Sequence, residues 1–276
     1  MSSQQSAKGQ SLKDALSSIF ASGVIVIAVI ISIIIYLNVM GNPVNFEENI
    51  VTNHPKPGNY LGIIYKGGPI VPVLMSLVII LITFVVERFI TITRAKGKGR
   101  LARFVRSIQT MLSEDRIEDA IASCDQQRGS LASVMKSGLI RYRDLQADPE
   151  LGKDQKVIAI QKEIEEATAL ELPMLSKNLV FMSTIASIAV LVGLIGTVLG
   201  MIKAFSALAQ AGAPDASALA NGISEALINT AFGITGSTLA IIFYNYFSTA
   251  IDGFTYKIDE AGFSLVQTFA SSLKKS

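Results

Sequence analysis

Four long stretches of the sequence are mostly apolar, and the segments between them are polar. The stretches occupy residues 19–40, 69–93, 178–210 and 219–251. Each predicts a transmembrane helix, because about 20 apolar residues carry a helix across the hydrocarbon core of a bilayer. No charge occurs in residues 15–41. This run exceeds the ~7–15 apolar residues of a secretory signal peptide, so we expect a retained first helix.

The overall composition indicates the same class of protein. Hydrophobic residues make up 50% of the 276 residues and charged residues only 17%, and the mean hydropathy is +0.46. Such values are too apolar for a soluble domain and predict an all-α membrane protein in contact with lipid. The formal net charge of +2 gives no reason to expect a nucleic-acid partner.

Lysine and arginine are unevenly distributed among the connecting segments. Six basic residues between Arg94 and Arg106 follow the second stretch without an intervening acid, whereas the flanking connections carry few. Because basic loops stay in the cytoplasm, this asymmetry orients the chain. The predicted segments are a cytoplasmic N-terminal segment 1–18, an external loop 41–68, a cytoplasmic helical region 94–177, an external turn 211–218 and a cytoplasmic C-terminal helix 252–276.

The long region between the second and third stretches has helical periodicity. Apolar residues recur at Phe104, Ile108 and Leu112, and again at Ile160 and Ile164. This spacing predicts amphipathic helices that pack against each other or against neighbouring subunits. Near the end of the region, Pro173 predicts a kink at the membrane boundary, because proline removes a backbone hydrogen bond and clashes with the preceding turn.

No motif for catalysis, a cofactor or a metal is found. The sequence has no glycine-rich phosphate loop after a strand, no Cys or His metal spacing and no Ser/His/Asp set. The single cysteine, Cys124, cannot form an internal disulfide and is expected to be reduced. The single histidine, His54, lies in an Asn-His-Pro-Lys-Pro-Gly turn, where a metal site is not expected. We therefore expect neither an enzyme nor a cofactor.

The last two apolar stretches differ from the first two. Ile, Val and Leu dominate the first two, whereas the last two interleave Gly, Ala, Ser and Thr. Small residues let membrane helices approach closely. Helix packing alone would account for this pattern, and it is an open alternative to a pore. The glycines expected to serve packing are Gly193, Gly196, Gly200, Gly233 and Gly236.

Hydroxyl and amide side chains lie among these small residues. Thr197 shares a helical face with the glycines of the third stretch, and Thr230 and Ser237 share a face in the fourth. Such groups can line a narrow hydrated path without placing a fixed charge in it. We therefore expect Thr197, Asn229, Thr230 and Ser237 to line a pore.

Glu225 is the one charged residue of the fourth stretch. A carboxylate facing lipid costs at least ~2.5–3.5 kcal/mol, so such residues usually face water or a bundle interior and mark an ion path. The alternative is a helix-end anchor that pairs with Lys203, at a similar level of the third stretch. Neither helix holds another acid nearer the cytoplasm, so we expect a partner helix to supply an Asp or Glu.

Two segments resemble a known family. GLIGTVLG at 193–200 and ISEALINTAFG at 223–233 are similar to the pore helices of the MotA/TolQ/ExbB proton-channel family, and most similar to the ExbB/TolQ branch. Glu87-Arg88 and Tyr244-Asn245 also resemble that branch. The resemblance extends from about residue 69 to the C-terminus, and the first apolar stretch is absent from shorter members.

The resemblance implies a multi-pass protein of the bacterial inner membrane that assembles as a pentameric ring. The ring would surround an ExbD-like pair of helices with a proton-binding Asp, and a TonB-like or TolA-like protein would transmit the work to the outer membrane. The family's pore threonines correspond to Thr197 and Thr230, and its membrane glutamate to Glu225. Where the branch often has proline, this chain has Val190 and Leu239, so straighter pore helices are expected.

Three functions are left open. The leading one is a proton-driven motor subunit for TonB-dependent outer-membrane transport. A TolQ-like or motility stator subunit is a close alternative, with H+ or Na+ as the ion. A non-conducting membrane scaffold is a third, although Glu225 and the hydroxyl groups do not fit it well.

Overall fold

The computed structural model describes residues 22–51, 53–146, 151–209 and 216–275, and for 272–275 the backbone alone. The described residues are helical apart from connecting segments and one isolated bridge between Phe46 and Pro55. The predicted N-terminal segment 1–18 lies outside them, as does most of the predicted turn 211–218. The helices are α1 (Ser22–Met40, with a π-helical end at Ile35–Met40), α2 (Tyr60–Tyr65), α3 (Ile70–Ala95), α4 (Leu101–Ser113), α5 (Ile117–Gln127), α6 (Ser130–Gln146), α7 (Lys153–Ser176), α8 (Leu179–Ala209) and α9 (Ala216–Lys275).

Four helical runs are long and apolar enough to cross a membrane. They are α1, α3, the run Lys153–Ala209 that contains α8, and α9. The all-helical membrane class predicted from the sequence is therefore confirmed. The two final predicted segments, 219–251 and 252–276, form one continuous helix in α9, because no proline or glycine pair interrupts its backbone hydrogen bonds.

The helices belong to two compact units. Of the described residues, those within 22–85 and 181–244 form the first unit, and those within 86–180 and 245–275 form the second. The first therefore contains α1, α2 and most of α3 and α8, with the first half of α9. The second contains α4 to α7 and the rest of α9.

In the first unit, the segment 41–68 is ordered around the side chain of Asn45. Its Nδ2 atom donates to the carbonyl oxygens of Val39 and Met40 at 2.7 and 2.9 Å, and its Oδ1 atom accepts from Asn59 at 3.0 Å. These bonds tie the end of α1 to the start of α2. His54 in this segment is exposed.

The second unit has the core of an ordinary helical domain. Predicted apolar positions such as Ile108 and Ile160 are completely buried. Gly138 packs against Ile164 of α7 and Leu265 of α9, where a Cβ atom would lie 2.8–2.9 Å from their side chains. Each amphipathic helix thus buries its apolar stripe against its neighbours. Cys124 is buried in this core and forms no disulfide.

Arg88 closes the end of α7 in the second unit. Its guanidinium donates to the carbonyl oxygens of Met174 and Leu175 at 3.3 and 2.7 Å. It also forms two bonds to the carboxylate of Glu87, at 2.5 and 2.6 Å. Glu87 accepts further bonds from Thr91 and Asn178, both at 3.0 Å. Arg88 is only 3% exposed.

This contact determines where the helix is interrupted. Pro173 lies inside α7, which ends at Ser176, and the kink expected at the proline stays a prediction. The next helix begins at Leu179, after a turn at residues 177–178. Arg88 satisfies carbonyl groups that a continuing helix would otherwise use, so the chain can break one turn after the proline.

Candidate functional site

Glu225 is buried in the first unit and paired with Lys203. The Nζ atom of Lys203 donates to both carboxylate oxygens, at 2.7 and 2.8 Å. The Glu225 side chain is only 10% exposed, whereas that of Lys203 is 56% exposed. The structure thus brings together the acid on α9 and the cation on α8 that were considered as partners from the sequence. Glu225 is buried in this pair, whereas Lys203 is exposed.

A glycine turn lies directly against the Glu225 carboxylate. Gly68 has a φ of +77°, and a Cβ atom built on it would contact Oε1 of Glu225 and lie 2.9 Å from its Cδ atom. Only glycine satisfies both the left-handed backbone and this close approach. Gly67 and Gly68 were not predicted as site residues from the sequence. Their signal is the Lys-Gly-Gly-Pro run at 66–69, immediately before the second apolar stretch.

Asn229 connects α9 to the same turn. Its Nδ2 atom donates to the carbonyl oxygen of Gly67 at 2.9 Å, and the residue is completely buried. Gly196 of α8 accommodates it, since a Cβ atom there would lie 2.5–2.7 Å from the Asn229 side chain. The turn and the two helices therefore meet at this amide.

Thr197 and Thr230 hydrogen-bond to each other through their hydroxyl groups. The hydroxyl that accepts in this bond can itself donate to a carbonyl oxygen of its own helix, either from Thr230 to Ala226 at 3.1 Å or from Thr197 to Gly193 at 3.2 Å. The two predicted pore threonines therefore meet in the contact between α8 and α9, which we call the α8–α9 seam. Thr197 also borders an open groove on α8 with Val198, Met201, Ile202 and Phe205.

The predicted glycines bring the two helices together along this seam. A Cβ atom on Gly193 would lie 3.1 Å from the Gly233 Cα atom, and one on Gly200 would lie 2.7 Å from the Ala226 nitrogen. At Gly236 the nearest atom, on Val78 of α3, would be 3.4 Å away, which is an ordinary contact. The helix backbones thus approach closely at Gly193, Gly200 and Gly233.

Ser237 bonds across the seam as well. Its hydroxyl donates to the carbonyl oxygen of Ala186 at 2.5 Å, and the residue is buried. Val190 and Leu239, which stand where the related branch often has proline, both lie inside uninterrupted helices. Among the described residues, no three His, Cys, Asp or Glu side chains form a group suited to a metal.

The first helix, α1, packs near the end of the α8–α9 seam that contains Glu225. Tyr36 donates to the carbonyl oxygen of Tyr65 at 3.1 Å, and the two rings stack with centroids 4.6 Å apart. Tyr36 also packs with Met40, Val71 and Met75 in a buried cluster that includes Ile228 and Phe232 of α9. Hydrophobicity alone could not reveal this contact, because every apolar stretch offers similar side chains.

A carboxylate, an amide and two hydroxyls therefore follow one another along the α8–α9 seam. Glu225 and Asn229 are one helical turn apart on α9, and Thr230 follows directly. None of these groups is a nucleophile beside a base. Each of these groups can form hydrogen bonds, and the carboxylate can also exchange a proton.

Part of the chain matches a family profile. Residues 127–260 match the family described as the MotA/TolQ/ExbB proton channel family. The matched residues include α8 and the membrane-crossing half of α9. The resemblance inferred from the two pore-helix motifs is thereby confirmed.

Individual relatives support the same branch. An ExbB-like protein of Synechocystis is 38% identical over 86 residues, which are 30% of this chain and 41% of that protein. The Tol-Pal system protein TolQ of Pseudomonas aeruginosa is 32% identical over 42% of this chain and 50% of its own length. The biopolymer transport protein ExbB of Pseudomonas putida is 36% identical over 29% and 24%, respectively. The matches thus span at most half the length of these relatives.

Proposed function

Starting from the membership of its matched region in the MotA/TolQ/ExbB proton channel family, ExbB/TolQ branch, we propose that this multi-pass membrane protein conducts protons as part of a motor. It resides in the bacterial inner membrane with both termini in the cytoplasm. The proton motive force drives the motor, at about 2.3 kcal/mol per elementary charge per 100 mV. The chain itself performs no covalent chemistry.

The observation that carries the proposal is the environment of Glu225. A carboxylate used only as an anchor is best held by several fixed donors, because each added bond restrains it. Among the described residues, the hydrogen bonds to Glu225 come from the exposed Lys203 alone. Such a carboxylate can release one partner and take another, as proton transfer requires.

The hydroxyl pair extends the path from this acid. Thr197 and Thr230 lie in the same seam and offer groups that both donate and accept hydrogen bonds. No further acid occurs in α8, or in α9 before Asp252. We therefore propose that an ExbD-like helix of a partner supplies the next acid. The open groove beside Thr197 offers that helix an apolar face.

The assembly and its output are part of the same proposal. Identical subunits would form a ring, pentameric as in the family, around the ExbD-like helices. We assign the output to a TonB-like protein that energises outer-membrane transport, since two of the three relatives described above have ExbB in their names. The TolQ relative favours a TolA-like protein as the second candidate.

Proton flux into liposomes tests the proposal. The chain is purified with its ExbD-like partner and reconstituted, and a potassium gradient with valinomycin sets the potential. We expect flux in the wild-type complex, and a decrease of about tenfold or more in Glu225→Gln and in Thr230→Val, because each removes a group from the path. A pH-sensitive dye inside the liposomes reports the flux.

Controls separate the competing functions. Thr235→Val removes an exposed hydroxyl of α9 that bonds only to its own helix, so flux should stay near the wild-type value. A wild-type complex without flux, with or without the partner, would favour the scaffold. Flux that depends on Na+ rather than on pH, or co-purification with a rotor component, would favour a motility stator.

A further inference from the structure

Asn229 has a buried polar atom that the contacts described above leave unexplained. The residue is completely buried, and its Nδ2 atom donates to Gly67. No donor in the described part of the chain reaches its Oδ1 atom. Buried polar side-chain atoms nearly always have a hydrogen-bond partner, and an exception points to an ordered water or an ion.

The group that faces the amide fixes its orientation. The Gly67 carbonyl oxygen is an acceptor, so only the NH2 group of Asn229 can bind there. Rotating the amide by half a turn would bring two acceptors together and remove the bond. Oδ1 is therefore held as an acceptor that awaits a donor from outside the described chain.

The position of this acceptor relates it to the proposed path. Asn229 follows Glu225 by four residues, so the two side chains lie on the same side of α9, one turn apart. Thr230 is the next residue, and its hydroxyl binds that of Thr197. Along the helix, the acceptor thus lies between the carboxylate and the hydroxyl pair.

We propose that Oδ1 of Asn229 binds a water molecule that passes the proton between Glu225 and the Thr197–Thr230 pair, while the Gly67 carbonyl keeps the amide in the required orientation. This inference rests on the proton path proposed above and adds a water-binding residue to it. Water suits the acceptor because it supplies an O–H donor, and hydrated protons supply more.

The proposal also gives the segment before α3 a role in the path. Gly67 holds the amide, and its neighbour Gly68 lies against the Glu225 carboxylate. The same segment is bonded to α1 through Tyr36 and Tyr65. A helix absent from shorter family members would thus help to position the two groups that handle the proton.

Two substitutions at Asn229 test the water site in the reconstituted complex. Asn229→Leu removes both amide atoms at similar volume, and flux should fall by about tenfold or more. Asn229→Asp keeps an acceptor, and its second oxygen can donate to the Gly67 carbonyl only when the carboxyl is protonated, so flux should persist at low pH and fall as the carboxyl ionises. A purely structural role would not change that profile. Asn38→Leu makes the same chemical change on an exposed face of α1, and flux should be unchanged.

A high-resolution map of the same complex supplies a readout that does not depend on activity. We expect ordered density within about 3.2 Å of Oδ1 in the wild type and none at that position in Asn229→Leu. A side chain of a neighbouring subunit bonded to Oδ1, or density coordinated like Na+, would overturn the proposal. So would unchanged flux in Asn229→Leu.

The remaining outcomes are also decisive. If Asn229→Leu fails to assemble, as judged by size-exclusion chromatography, then Asn229→Asp decides, and an unchanged pH profile in it refutes the water site. If the wild-type complex conducts no protons, the proposed function fails. The map still shows whether a water binds to Oδ1, so the two failures are distinguishable.

Discussion

Glu87 of the second unit and Glu225 of the first are both acids beside a basic residue, and the protein holds them differently. Glu87 accepts from three residues, and its partner Arg88 is buried and also bound to two backbone carbonyls. Glu225 is paired with the exposed Lys203 and lies against Gly68. A carboxylate with many fixed donors holds a geometry, whereas one with a single mobile donor can exchange partners. The same pair of residue types thus serves stability in one place and, we propose, transport in the other.

The largest expected effect is the difference in stability between variants that lack one or the other of these two cations. Arg88→Met leaves Glu87 and two carbonyl groups without their buried partner, and should destabilise the protein by about 3–5 kcal/mol. Lys203→Met removes a cation that is more than half exposed and leaves one buried carboxylate without its donor, so it should cost less, about 1–3 kcal/mol. Thermal unfolding of the purified protein in detergent measures both. Equal losses in the two variants would contradict the assigned difference.

Two glycine substitutions test whether the close contact at Glu225 matters for proton flux. Gly68→Ala and Gly58→Ala both place a side chain at a φ near +78°, which should cost about 1–2 kcal/mol each. Only at Gly68 does the new Cβ atom meet Glu225, since nothing lies within 4 Å at Gly58. We expect at least as large a loss of stability in Gly68→Ala as in Gly58→Ala, with reduced proton flux in Gly68→Ala alone. Reduced flux in Gly58→Ala as well would mean that backbone strain, rather than contact with the acid, is responsible.

The smallest expected effect is the slow chemical labelling of Cys124 in the core of the second unit. Cys124 is 2% exposed, and burial, with a smaller contribution from Asp125, raises the pKa of its thiol to about 12. The reactive thiolate is therefore scarce at pH 8, at about one molecule in ten thousand. We expect maleimide to label the folded protein slowly and the denatured protein rapidly. Rapid labelling of the folded protein would show that this core opens more readily than its packing suggests.

The sequence was sufficient for the membrane spans because their apolar runs are long and the bilayer imposes a fixed length. It also singled out Glu225 and Lys203, since charges inside such runs are costly and few. The Gly67–Gly68 turn was missed because its role depends on a residue more than 150 positions later. The boundary predicted between residues 177 and 178 falls within the turn that separates α7 from α8. The contact of Arg88 with the end of α7 could not be predicted, because Arg88 comes from a distant helix.

The bond from Arg88 to Leu175 spans 87 residues of sequence, and this separation has a consequence for biosynthesis. Ribosomes add about 5–20 residues per second, so the arginine emerges several seconds before its carbonyl partners exist. During that interval its neighbour Glu87 is the only member of the final network, apart from nearby Thr91, that has already been made. A nascent chain lacking that acid would present a lone guanidinium at the second span while the translocon is still inserting it.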